Sequence, residues 1–175
     1  KLPVKLFYFG LLSAFVWLVF VGVVAISSFI LFVFKPFILK YDHHRKIAHR
    51  FLFICARCIS FSNPLWKVTW VNRKQLSSGG PYIITPNHSS LSDAIYMALL
   101  PIHAKWITKA GIFKVPFIGI MMQLAGHIST VRGDSDSGLR SIEKSREWLS
   151  KGVSILIFPE GTRSRDGTLG RFKSG

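Results

Sequence analysis

The residues best suited to chemistry sit in two short polar clusters. In "NHSSLSD", Asn87 to Asp93, a histidine precedes an aspartate by five residues among small hydroxyl side chains. With His88 just after a strand and Asp93 in the first turn of a helix, the carboxylate can fold back across the turn and accept the Nδ1 proton. Nε2 is then left to take a proton from an incoming hydroxyl, which is general-base chemistry. In "FPEGTRSRDG", which begins at Phe158, an apolar run breaks directly into opposite charges. Gly161 permits close backbone approach, and Arg163 and Arg165 offer planar, paired donors suited to phosphate. Arg132 closes a third apolar run and Lys105 lies near the start of another, so four basic residues fall near expected strand ends.

Other chemistries fit these residues less well. A nucleophilic Ser89 or Ser90 would need to meet His88, yet side chains of consecutive residues rarely do, and no G-x-S-x-G elbow is present. No Walker loop occurs either. "CARC", Cys55 to Cys58, has the spacing of half a zinc or redox site. It lies in a helical pattern with Phe51, Ile54 and Ile59, where the cysteines read as small apolar residues, so no metal site and no disulfide are expected.

Both clusters need a scaffold, and the sequence outlines one. After Asn63-Pro64, strands are expected over 67–71, 81–86, 104–108, 127–131 and 153–158, and helices from Ser92, over 115–126 and over 137–151. The last helix is expected to turn Leu139, Ile142 and Leu149 inward. Strands alternating with helices predict an α/β domain over 63–175, with a mixed, largely parallel sheet flanked by helices. Active sites of such domains form at the carboxyl ends of strands, which is where both clusters fall.

A membrane-anchoring helix pair is expected to precede that domain, over residues 1–62. Leu6 to Phe34 is a run of 29 uncharged residues bounded by Lys5 and Lys35. At 1.5 Å per residue it would reach roughly 43 Å, enough to span a ~30 Å hydrocarbon core with tilt, or to kink at Gly22 and enter one leaflet. It exceeds the apolar core of a signal peptide. A basic amphipathic helix follows over about 41–61, with Ile47, Phe51, Ile54, Cys55, Cys58 and Phe61 at helical spacing. It suits an anionic surface or packing on the first helix.

Charge narrows the partners. The chain has 23 Lys and Arg against 8 Asp and Glu, a formal net charge of +15, which implies anionic company. Basic residues beside a long apolar run favour a membrane over nucleic acid, for which no motif is present. Five Lys or Arg within twenty residues after that run, against two before it, place the globular part on the cytoplasmic or stromal side.

Residues 60–175 resemble the 1-acyl-sn-glycerol-3-phosphate acyltransferases and related glycerolipid acyltransferases. "NHSSLSD" is similar to the family's N-H-x-x-x-x-D motif and "FPEGTRS" to its F-P-E-G-T-R-S motif, about seventy residues apart and in the right order. "KAGIFKVPFIGIMMQLAGHISTVRGD" resembles the block between them. The resemblance implies acyl transfer from acyl-CoA or acyl-carrier protein to the free hydroxyl of lysophosphatidic acid, without a cofactor, in phospholipid biosynthesis. His88 would be the general base and Asp93 its orienter. Glu160, Gly161, Thr162 and Arg163 would help to bind the glycerol phosphate, with Arg132 and Lys105 beside them. The resemblance also implies further strands beyond Gly175, so the domain is expected to be a truncated one. Glycerol 3-phosphate or another lysophospholipid remains open as acceptor, as does an inactive membrane scaffold.

Overall fold

The computed structural model describes residues 2–72, 76, 79–164 and 167–172. Three helices come first. α1 spans Leu2–Val33 and runs unbroken past Gly22. α2 spans Lys35–Tyr41 with Pro36 in its first turn, where the fixed φ of proline suits a helix start. α3 spans Lys46–Ser62. Asp42 opens it, its Oδ1 accepting the Lys46 N–H at 2.9 Å and its Oδ2 the Ile47 N–H at 2.7 Å. The amphipathic helix expected over about 41–61 is thus α3, which starts later because residues 42–45 form the turn after α2, where Arg45 takes a left-handed φ of 57°.

The rest is a wound sheet: β1 (Ile83–Ile84), α4 (Asp93–Ala98), β2 (Ala104–Lys109), a 3-10 turn (Ala110–Lys114), α5 (Ile118–Leu124), β3 (Ile128–Thr130), α6 (Ser135–Ser150) and β4 (Ser154–Ile157). The strand order is β1-β4-β2-β3, and every pairing is parallel. The α/β fold expected from the alternation of elements is present. The run 67–71 is not a strand. It lies outside the sheet, where Trp66, Val68 and Trp70 line a groove with Phe53, Arg57 and Phe61 of α3. Gly119 lets α5 begin tightly, because a Cβ there would collide with the Phe113 carbonyl.

Two helix faces differ from the expected ones. On α3 the buried residues are Ala48, Cys55, Ala56 and Ile59, while Ile47, Ile54, Cys58 and Phe61 are exposed. Small side chains let α3 approach α1 closely, with Cys55 Sγ 3.2 Å from Ser27 Oγ. Ile47, Ile54 and Phe61 are left as an outward stripe. On α6 the sheet-facing residues are Ser137, Ser141 and Ser145, and Leu139 and Ile142 are exposed. Their spacing of four keeps the serines on one face, and Ser141 and Ser145 donate to carbonyls of their own helix at 2.7 Å.

The first helices and the sheet domain share one core. Val24, Leu31, Ile38, Ala48, Cys55 and Ile59 pack with Met121, Leu124 and Ala125 of α5. Ser28 Oγ also donates to the Phe117 carbonyl at 2.8 Å, in the connection that leaves the carboxyl end of β2. From Ser28 onward the chain heads for the amino end of the sheet, where the His44 carbonyl meets Lys105 of β2. The part of α1 before Phe20 therefore continues beyond the carboxyl edge, for about 22 Å back to Lys5 at 1.5 Å per residue. That free half is exposed and apolar, Leu6, Phe7, Leu11, Phe15, Trp17 and Leu18 included.

Candidate active site

β1 ends at Ile84, and the loop that follows brings His88 to the carboxyl edge. His88 Nδ1 lies 2.9 Å from Asp93 Oδ2, with the two side chains 21% and 17% exposed. Asp93 opens α4, and the same Oδ2 accepts the backbone N–H groups of Ser89 and Ser90 at 2.8 Å each. Burial alone would raise the Asp93 pKa. The Ser90 amide, the His88 ring and the Ser89 amide outweigh it, so the carboxyl lies below its usual value and stays ionised near neutrality. Held in this way, the carboxylate fixes the imidazole as an Nδ1 donor. Nε2 makes no hydrogen bond to any described residue, and it has the lone pair a base needs.

The loop after β4 wraps the histidine from the other side. The His88 ring stacks on Phe158 with centroids 4.3 Å apart. The His88 N–H donates to Glu160 Oε1 at 3.0 Å, and its carbonyl accepts the Ser164 N–H at 2.7 Å. Gly161 turns the chain with φ of 64°, and its N–H bonds the Phe158 carbonyl at 3.0 Å. Thr162 and Arg163 emerge exposed from that turn, and Arg163 has no ion pair among the described residues.

Glu160 differs from the expectation of an acceptor contact. It is only 4% exposed, and its second oxygen accepts the Gly170 N–H at 3.0 Å. Both oxygens are thus occupied by the chain itself. Arg132 stands exposed after β3, at the same edge of the sheet. Arg165 lies outside the described residues.

Lys105 is not part of this cluster, which corrects the expectation that it meets phosphate. It sits near the amino end of β2 at 0% exposure, because β2 is a central strand covered on both faces. Its Nζ donates to the Ala125 carbonyl at 2.7 Å and the His44 carbonyl at 2.9 Å, meets His103 Nε2 at 3.1 Å, and lies 4.5 Å from the Trp148 ring centre. Burial, with Arg45 adding to it and Asp42 opposing, brings its pKa down to about 7. The cation at the carboxyl end of β2 is Lys109, the last residue of the strand, and it is exposed. Its position as the final residue of "AKWITK" was the available signal. Lys109 thus ends β2, and Arg163 and Arg132 come after the strands on either side of it, β4 and β3.

A sequence model of the acyltransferase family matches residues 67–175, which include both motifs. The chain belongs to that family. Among relatives, it is 38% identical over 141 residues to the chloroplastic 1-acyl-sn-glycerol-3-phosphate acyltransferase LPAT1 of Arabidopsis thaliana, covering 80% of this chain and 39% of that protein. It is 35% identical over 144 residues to a 1-acyl-sn-glycerol-3-phosphate acyltransferase of Chlamydomonas reinhardtii, covering 82% of this chain and 43% of the relative. The chain thus spans less than half the length of these two relatives. In fold it is similar to the 1-acyl-sn-glycerophosphate acyltransferase PlsC of Thermotoga maritima, with a TM-score of 0.60 at 20% identity, over 86% of this chain and 64% of that one. Acyl transfer by this family needs a base for a hydroxyl and a grip on a polar acceptor. The carboxyl edge of this chain brings together His88 and three exposed cations, Arg163, Lys109 and Arg132.

Proposed function

We propose that this chain carries the catalytic site of a 1-acyl-sn-glycerol-3-phosphate acyltransferase, which moves an acyl chain from a thioester donor, acyl-CoA or acyl-carrier protein, to lysophosphatidic acid and forms phosphatidic acid. The observation that carries the reading is the 2.9 Å contact of His88 Nδ1 with an Asp93 oxygen already fixed by two backbone amides. Nε2 takes the proton of the acceptor hydroxyl as its oxygen attacks the thioester carbonyl. The tetrahedral intermediate collapses, its carbon–sulfur bond breaks, and the leaving thiolate takes the proton back from the imidazolium. Such general-base help contributes about 10²–10⁴-fold, and holding both substrates supplies much of the remainder. Arg163 and Arg132 hold the acceptor phosphate, with Gly161 and Thr162 shaping the turn, and Lys109 replaces Lys105 in that role.

The membrane fits the same geometry. The free half of α1 lies beyond the edge where His88 sits, so a bilayer that takes up this apolar half meets the site directly. Residues 1–62 act as the anchor, and the charge bias around α1 supports a cytoplasmic or stromal face for 63–175. The test is thioester consumption by the intact protein in lipid vesicles, with and without lysophosphatidic acid. Turnover should depend on the acceptor and vanish in His88→Ala. Near-normal turnover in a folded His88→Ala protein would refute the base assignment, and a preference for glycerol 3-phosphate would change the acceptor.

A further inference from the structure

We propose that Glu160 is a positioning residue for His88 and not a ligand of the acceptor; this rests on the acyl-transfer reading above. The loop after β4 holds both main-chain polar groups of His88, the N–H through Glu160 Oε1 at 3.0 Å and the carbonyl through the Ser164 N–H at 2.7 Å. Phe158 supports the ring. Glu160 Oε2 binds the Gly170 amide at 3.0 Å, so one carboxylate joins the histidine loop, the turn at Gly161 and the segment at 167–172. A carboxylate is the natural bridge for two backbone amides, because each oxygen accepts and neither needs a donor.

The alternative role is chemically poor. A glutamate facing an acceptor phosphate meets like charge, and this one is 4% exposed with both oxygens engaged. The "FPEGTRS" segment therefore divides its labour. Phe158, Glu160 and Ser164 cradle the base, and Gly161 to Arg163 form the outward turn. Placement of His88 matters because a shift on the order of 1 Å at a reacting group costs about a hundredfold in rate.

Glu160→Gln tests this in the intact protein. Glutamine preserves size, but its NH₂ must point at one of the two backbone N–H groups, so one bond is lost and two donors oppose each other. The expected result is a fall in kcat of about tenfold to a hundredfold, with the KM for lysophosphatidic acid within about twofold of the parent. A raised KM with kcat preserved would place Glu160 on the acceptor and overturn the proposal, and so would unchanged kinetics. Should Glu160→Gln fail to fold, Gly170→Ala decides. Its Cβ would meet Glu160 Oε2 at 2.8 Å and displace the carboxylate from an exposed position. It should lower kcat several-fold at constant KM, and a folded Gly170→Ala protein with parental kcat also overturns the proposal. His88→Ala in the same assay separates the two readings. An active His88→Ala protein defeats the acyl-transfer mechanism itself, whereas an inactive one beside a kinetically normal Glu160→Gln defeats only the positioning role.

Discussion

Asp93→Asn separates the charge of the carboxylate from its geometry. Three donors converge on one oxygen, His88 Nδ1 at 2.9 Å and the Ser89 and Ser90 amides at 2.8 Å each. An amide nitrogen in that place would face two backbone N–H groups, so asparagine must present its carbonyl oxygen there. His88 then keeps an acceptor for Nδ1–H and keeps its tautomer. What disappears is the negative charge that stabilises the imidazolium. A hydrogen bond to a charged group contributes ~1.5–3 kcal/mol and a neutral one ~0.5–1.5 kcal/mol, so the loss is roughly 1–1.5 kcal/mol. That corresponds to a kcat about five- to tenfold lower. It is far smaller than the ~10⁴-fold loss of a Ser-His-Asp triad whose asparagine variant adopts the wrong tautomer. Initial rates at saturating donor and acceptor measure it, with thermal unfolding as the check on folding. A loss as deep as that of His88→Ala would refute the reasoning, since it would mean that the amide had turned and the tautomer had switched.

Arg163→Ala should raise the KM for lysophosphatidic acid about ten- to a hundredfold, with a smaller effect on the thioester donor, as expected for loss of one charge-assisted contact. Arg132→Ala should act in the same direction, and equal weakening toward a phosphate-free acceptor would exclude the phosphate role. Stability should climb with pH because of the groups around Lys105. Burial, then Lys105, lowers His49 to about 4 and, with neighbouring cations and histidines, His103 to about 3, and His127 falls well below its usual 6.5. Lys105 falls to about 7 from 10.5. The unfolded chain therefore binds more protons, between about 4 and 6.5 through the histidines and between about 7 and 10.5 through Lys105. The stability these groups confer is complete above the unfolded values and is lost as pH falls through the folded ones. The Tm should rise from pH 7 to 9.5, and Lys105→Met should flatten that rise; a parental Tm that is level or falling across this window would contradict it.

The site was more legible than the packing. His88 and Asp93 lie within one turn, so their meeting follows from a strand end and a helix start, both visible in local pattern. Lys105 was misplaced because a period of two shows which residues share a face and not whether that face is covered. Strand order decides coverage, and β2 became central only when β4 inserted beside it. The serine face of α6 and the alanine face of α3 were hidden for a related reason. Apolar size marks what prefers burial, whereas close approach selects what is small. The cradle of Glu160 joins residues 72 positions apart in sequence, and no local pattern carries that information.

The shared core has a consequence for how the protein comes into being. Val24, Ser27, Ser28 and Leu31 are buried against elements synthesised up to a hundred residues later, in α3 and α5. Chains emerge amino terminus first, so α1 is complete before β1 exists. The sheet then condenses on a strut already made, and Met121, Leu124 and Ala125 find their apolar cover on it. A sheet domain cut free of α1 would lack one wall of its own interior.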